Sequence, residues 1–260
     1  MLAMNTASAG QVQKVHVAVA SNFLLPMKDI AAAFEREFSY PVILSSASSG
    51  KLYAQIRHGA PFHLLFSADQ EKPALLEQEN LTVPGTRFTY AVGKLALMAS
   101  QPERISSQMS LAQVIQQPDL QRMALANPRL APYGIAAVQV LDNLGLKEAS
   151  RPKWVLGENI AQTYQFVHSG NADIGFVALS QLVSGNTGPI GFYITVPGHL
   201  HEPIRQDAVL LRKGAEEKGA TAFLQFMREK NATQLMESFG YEVPTDGKKS
   251  LKAVPGKEIP

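Results

Sequence analysis

Cysteine is absent from the 260 residues, which excludes disulfides, thiolate metal sites and thiol nucleophiles together. A strong net charge is missing too. The formal charge is +2, and the basic residues are scattered except around Lys248-Lys249, so no patch invites a nucleic-acid backbone. No apolar run approaches the roughly 18 residues that span a bilayer. HExxH, Walker, GxGxxG and GxSxG patterns are all lacking. The six histidines show no metal-ligand spacing, and the His199/His201 pair reads as solvated. Asp69, two residues after Ser67, reads as a turn-holding carboxylate rather than a general base. Met1 to Gln11 carry neither a basic n-region nor an apolar h-region, which implies a cytosolic start or a mature end from which a signal peptide has been removed.

What is present suits a sizeable core: 45% of residues are hydrophobic and 18% charged, in a chain long enough for one large or two medium domains. Val15 to Ala20 reads as a strand, and Leu24 to Phe38 as a helix with Pro26 in its first turn and Ile30, Phe34 and Phe38 at helical spacing. Val42 to Ser45 is the next strand, with Ser49 expected to cap the helix that ends at Gly59. Leu64 to Phe66 follows, then a helix from about Lys72 to Glu79. The alternation resumes with Met123 to Leu125, Tyr133 to Leu144, Trp154 to Leu156, Ile160 to Ser169 and Ile174 to Val177. Such alternation implies right-handed βαβ units and parallel sheets, here in two lobes. Phe88 to Met98 and Ile204 to Leu211 are extended and serve as crossings between them. A final helical region, Ala215 to Phe239, is expected to return to the first lobe.

Two hydroxyl-rich turns carry the chemistry. Ala20-Ser21-Asn22-Phe23 follows the first strand, and Ser45-Ser46-Ala47-Ser48-Ser49-Gly50 follows the second. At a strand end and helix start, hydroxyls and free N–H groups converge on an anion. Neither turn contains lysine or arginine, so the anion is expected to be compact, fully ionised and held by neutral donors. Capping alone would also explain these residues, and the two roles are compatible. Asn127-Pro128-Arg129-Leu130-Ala131-Pro132-Tyr133-Gly134 and Glu158-Asn159-Ile160 are the corresponding turns of the second half.

With these turns in view, the chain resembles the periplasmic molybdate-binding proteins of molybdate ABC transporters. The segments that carry the resemblance include Val19 to Phe23, Ser48 to Ile56, Gly59-Ala60-Pro61-Phe62, Ser67-Ala68-Asp69, Pro84 to Leu95, Asn127-Pro128, Ala131 to Gly134, Ala172 to Leu179 and Glu202-Pro203-Ile204. The resemblance implies an α/β, two-lobe periplasmic binding protein of type II, each lobe a mostly parallel sheet flanked by helices, with the ligand cleft between them. Lobe I would comprise 14–93 plus 205–246 and lobe II 94–204, with flexible ends at 1–13 and 247–260 and hinges near Gly93 and Ile204. Carried over by position, the oxyanion contacts fall on Ser21, Asn22 and Ser49 from the first lobe, with Ser21 and Ser49 adding hydroxyls. Tyr133 and Ile160 contribute from the second, mainly through backbone N–H. The enteric members use a tyrosine where this chain has Ala178-Leu179, so no tyrosine hydroxyl is expected at the ligand. The implied ligand is molybdate or tungstate, the implied partner an ABC permease, with no cofactor, no catalysis, no nucleic acid and a monomeric state. The rival readings are a binding protein for sulfate or another tetrahedral oxyanion, an α/β enzyme acting on a phosphorylated metabolite, and the sensing domain of a regulator.

Overall fold

The computed structural model describes residues 13–106, 108–184, 188–189 and 192–244; the ends expected at 1–13 and 247–260 fall, Gln13 apart, outside them. In chain order the strands are β1 (Val15–Ala20), β2 (Val42–Ala47), β3 (Leu64–Phe66), β4 (Phe88–Gly93), β5 (Leu95–Ala99), β6 (Met123–Ala126), β7 (Trp154–Gly157), β8 (Ile174–Ala178), β9 (Val183–Ser184), β10 (Gly188–Pro189), β11 (Phe192–Thr195) and β12 (Ile204–Leu210). The helices are α1 (Leu24–Phe38), α2 (Ser49–Arg57), α3 (Glu71–Gln78), α4 (Leu111–Ile115), α5 (Pro132–Asn143), α6 (Lys147–Ser150), α7 (Ile160–His168), α8 (Lys218–Phe226) and α9 (Lys230–Ser238).

Two five-stranded sheets form, in the orders β2-β1-β3-β12-β4 and β11-β5-β8-β6-β7. Each is mixed according to one plan. In the first, β1 runs parallel to β2 and β3, while β12 is antiparallel to β3 and β4. In the second, β6 runs parallel to β7 and β8, while β5 is antiparallel to β8 and β11. Parallel pairing therefore holds where βαβ units supply the strands, and antiparallel pairing begins where the chain arrives from the other lobe. The extended stretch Phe88 to Met98 is two strands broken at Lys94, each belonging to a different sheet.

Helix α1 buries Met27, Ile30 and Phe34 on one face, the spacing that the sequence pattern requires. Phe34 meets Phe223 and Phe226 at ring-centroid distances of 4.9 and 5.6 Å, which docks the carboxyl-terminal helices on the first lobe. The region Ala215 to Phe239 is not continuous: it breaks into α8 and α9 around Met227 to Glu229. In the second lobe β8 is buried along its whole length. A Cβ at Gly175 would lie 2.6 Å from Val167 and 2.9 Å from Ala124, so that glycine lets α7 lie close against the sheet. Ala20 and Ala68, at strand ends of the first lobe, pack into the core cluster of the second beside Tyr133 and Ile160. The lobes are therefore in contact at the edge where their turns emerge.

Candidate functional site

Four strand-to-helix turns meet at this contact. β1 leads through the single 3-10 turn Ser21–Phe23 into α1, and its neighbour β2 leads through Ser48 into α2. In the other lobe β6 leads through Asn127 to Ala131 into α5, and its neighbour β7 leads through Asn159 into α7. Parallel neighbours bring each pair of turns side by side at a carboxyl edge. Across the cleft, Gly50 N–H donates to Leu130 O at 3.0 Å, and Lys51 Nζ pairs with Glu158 Oε1 at 2.6 Å. Helix α7 packs against the Ser21–Phe23 turn. Ser21, Asn22, Ser49, Tyr133 and Ile160 are all buried here.

Counting the amides of each first turn shows where donors are left over. In α5, Pro132 has no N–H, and Ala131 O accepts from both Gly134 and Ile135, at 2.9 and 3.2 Å. Tyr133 N–H is the one first-turn donor left without an acceptor among the described residues. Gly134 is required here, because a Cβ would run into Ala126 O at the end of β6. In α7, Asn159 caps by accepting from the N–H groups of Ala161 and Gln162, both at 3.0 Å, and its backbone oxygen takes Thr163 N–H. The amide of Ile160, one residue into the helix, is the one left over.

The hydroxyls of α2 are arranged differently from the sequence expectation. Ser48, not Ser49, occupies the N-cap position, and its side chain makes no cap bond. Ser49 is the first helical residue, and its Oγ accepts from Ala68 N–H at 2.9 Å. Held from one side as an acceptor, Ser49 keeps its own proton for another partner. Among the described residues Ser48 Oγ is buried without any hydrogen-bond partner, an uncommon condition for a buried hydroxyl. Sequence reading passed over Ser48 as a donor, although it stands beside Ser49 in the same run.

The side chain of Asn22 points away from these donors into a buried polar cluster. Its Nδ2 donates to Gln206 Oε1 at 2.8 Å and to the Tyr241 hydroxyl at 3.0 Å. Tyr90 also donates to Gln206 Oε1, at 2.9 Å. The side chain of Asn22 is therefore taken up within the protein. Burial pushes Tyr241 up to about 12, and raises Tyr90 and Tyr133 well above the usual phenol value for the same reason, so the cluster is made of neutral donors and acceptors. Sequence reading missed Gln206, Ser180 and Tyr241 because they lie 184, 158 and 219 residues from Asn22.

Carboxylates are turned elsewhere. Glu158 is half exposed and engaged with Lys51. Asp69 holds its turn as expected: Oδ1 accepts from Lys72 N–H at 2.8 Å and from Ser67 Oγ at 3.1 Å. The cleft edge thus offers N–H and O–H groups, and the Lys51–Glu158 pair that bridges it is satisfied within itself, an arrangement that suits a group able only to accept.

A family model described as bacterial extracellular solute-binding protein matches residues 15–242. The chain is 47% identical over 237 residues to the molybdate-binding protein ModA of Azotobacter vinelandii, covering 90% of this chain and 92% of that one. To its namesake in Rhodobacter capsulatus it is 41% identical over 240 residues, with 92% of each chain covered. The solved structure of the Azotobacter vinelandii periplasmic molybdate-binding protein superposes with a TM-score of 0.84 at 36% identity, over 89% of this chain and 100% of that one. The sulfate-binding protein SubI of Mycobacterium tuberculosis superposes with a TM-score of 0.70 at 11% identity, over 91% of this chain and 89% of that one, a likeness of fold alone. Two lobes built on one plan, four facing turns of which two leave an amide to spare, and relatives matched nearly end to end place the chain plainly: it belongs to the bacterial extracellular solute-binding proteins and, among them, to the molybdate-binding family.

Proposed function

We propose that this protein captures molybdate or tungstate outside the cytoplasm with a ring of neutral donors and delivers it to an ABC permease in the membrane. It binds and releases its ligand without transforming it. The observation that carries this reading is the convergence of four helix starts at which the amides of Tyr133 and Ile160 and the hydroxyl proton of Ser49 have no acceptor among the described residues. Molybdate and tungstate are doubly charged tetrahedral acceptors, so such a ring satisfies them completely. Phosphate carries a proton near neutrality and wants an acceptor, which Glu158, paired outward with Lys51, does not supply. Sulfate is smaller and leaves the ring too wide.

In this reading the ligand is held by Ser21, through hydroxyl and amide, by the amide of Asn22, by Ser49, and by the amides of Tyr133 and Ile160. Residues 14–93 with 205–246 form one lobe and 94–204 the other. Both donate to the ligand, so binding favours the closed form by differential contact, with rotation at the crossings near Gly93 and Ile204. The protein works as a periplasmic monomer and engages no nucleic acid.

Calorimetric titration with molybdate, tungstate, sulfate and phosphate tests the proposal. Tight one-site binding of the first two, with sulfate and phosphate weak, is the expected result. Silence toward molybdate and tungstate with a response to sulfate would overturn the ligand and keep the fold. No response to any of the four would overturn the function.

A further inference from the structure

Behind these turns, three hydrogen bonds join the lobes. Ser180 Oγ, just after β8, donates to Asn22 O at 2.9 Å. The Tyr241 hydroxyl lies 2.9 Å from Ser180 Oγ and 2.9 Å from Asn22 O. Gln206 Nε2 donates to the Tyr133 hydroxyl at 3.3 Å. Every residue in this set is buried.

The local sequence explains why Asn22 O seeks these partners. The residue four positions on, which would return an N–H to that carbonyl in an α-helix, is Pro26 and has none. Hydroxyls from the opposite lobe and from the carboxyl-terminal segment fill the place. Gln206 is brought to the cluster by an irregularity in the second crossing strand. The pairing of β12 with β4 shifts between Gln206 and Asp207, so Gln206 faces Ala91 and Asp207 faces Thr89, skipping Tyr90. A bulge of this kind redirects side chains, and here Tyr90 and Gln206 meet. On the first crossing, a Cβ at Gly93 would run into both the Tyr133 hydroxyl and Gln206 Nε2. Both crossings therefore abut the ring of Tyr133, whose backbone N–H is one of the proposed ligand donors.

We propose that Tyr241, Ser180 and Gln206 are positioning residues for the oxyanion. They clamp the Asn22 turn and the Tyr133 turn to each other from behind, so the amides of the two lobes come into register as the lobes close. The inference rests on the proposed site. It adds that the closed form is held by a clamp as well as by the ligand, and that the clamp acts on release. Removing one buried hydrogen bond of the clamp should speed dissociation by about 5- to 10-fold, with association changed less than about twofold, because encounter occurs with the lobes apart.

The test is stopped-flow binding and release of molybdate by the wild type, Tyr241→Phe, Ser180→Ala and the double variant. Since the chain has no cysteine, spin labels at Asp29→Cys and Ala149→Cys, both exposed, report the lobe separation of the molybdate-bound protein. Faster release in each single variant, a broader distance distribution, and a double variant weaker than the product of the singles would support the clamp. Unchanged release and distance, with only a lower unfolding temperature, would make these residues structural and overturn the inference alone. Failure of the wild type to bind molybdate would overturn the proposed function and this inference with it.

Discussion

The two lobes share one strand plan, yet they prepare the donors proposed for the ligand by opposite means. The first lobe uses serine: among the described residues Ser49 accepts from Ala68 N–H and has no acceptor for its own proton, and Ser48 is buried without a partner. The second lobe uses subtraction. Pro132 and Ala131 account for every first-turn amide of α5 except Tyr133, and Asn159 accounts for those of α7 except Ile160. In the first lobe the serine hydroxyls are the groups held ready, whereas the side chains of Tyr133 and Ile160 belong to the core. Binding in the first lobe should therefore respond to side-chain chemistry, and in the second to backbone placement.

The largest expected effect comes from two glycines that begin equivalent helices. Gly134→Ala drives a methyl into Ala126 O within one lobe, and should cost about 2–3 kcal/mol of stability while displacing the Tyr133 amide. Gly50→Ala places its Cβ 3.2 Å from Leu130 O on the opposite lobe. It should leave folding within about 0.5 kcal/mol, since alanine suits a helix better than glycine, and weaken molybdate binding about tenfold by obstructing closure. Thermal unfolding without ligand, set beside calorimetry, separates the two. Equal losses of stability in both variants would dissolve the distinction between an internal and a cross-lobe contact.

Next in size is the contrast between a hydroxyl and an amide. Ser49→Ala should weaken molybdate binding about 10- to 100-fold, the worth of a hydrogen bond to a charged group. Ile160→Val should lower stability by about 1 kcal/mol and leave affinity within about twofold, because its amide stays in place. A large affinity loss in Ile160→Val, measured by the same titration, would show that the second lobe also reads side chains.

The smallest effect concerns pH, and its sign differs between lobes. Burial raises Asp69 in the first lobe, against the N–H and charge of Lys72 and the hydroxyl of Ser67. Asp173 in the second feels burial too, but the N–H groups of Arg122 and Gln121 and the Arg104 charge outweigh it and hold the carboxyl below 3.8. A raised native pKa means that the folded chain binds the proton more tightly, so the Asp69 contribution is present in acid and is lost as pH rises above 3.8 through the native value. The Asp173 contribution is present above 3.8 and is lost as pH falls through its lower native value. Urea midpoints between about pH 3 and 6 should show Asp69→Asn flattening the decline with rising pH, and Asp173→Asn flattening the decline in acid. Parallel curves for both variants would remove the contrast.

Much of this was legible in the sequence, for reasons that differ by element. Strands such as Val15–Ala20 and Ile174–Val177 announce themselves because they are buried apolar runs, and Ile30, Phe34 and Phe38 keep helical spacing. The break between α8 and α9 was not legible, since no proline or glycine marks Met227 to Glu229. In the site, hydroxyl-rich turns stood out by composition, but which serine caps and which faces outward depended on Ala68, a residue of the next βα turn. Gln206, Ser180 and Tyr241 carry no local signal at all. Only Pro26, four residues after Asn22, hinted that a carbonyl there would need a distant partner.

β3 and β4 are successive strands, yet β12 lies between them in the sheet. A chain made from its amino end therefore holds an unfilled slot in the first sheet until residues beyond Ile204 arrive. All strands of the second sheet fall between Leu95 and Thr195 and can assemble before that. This topology lets the later lobe complete first, and insertion of β12, a pairing of high sequence separation, is then the expected slower step.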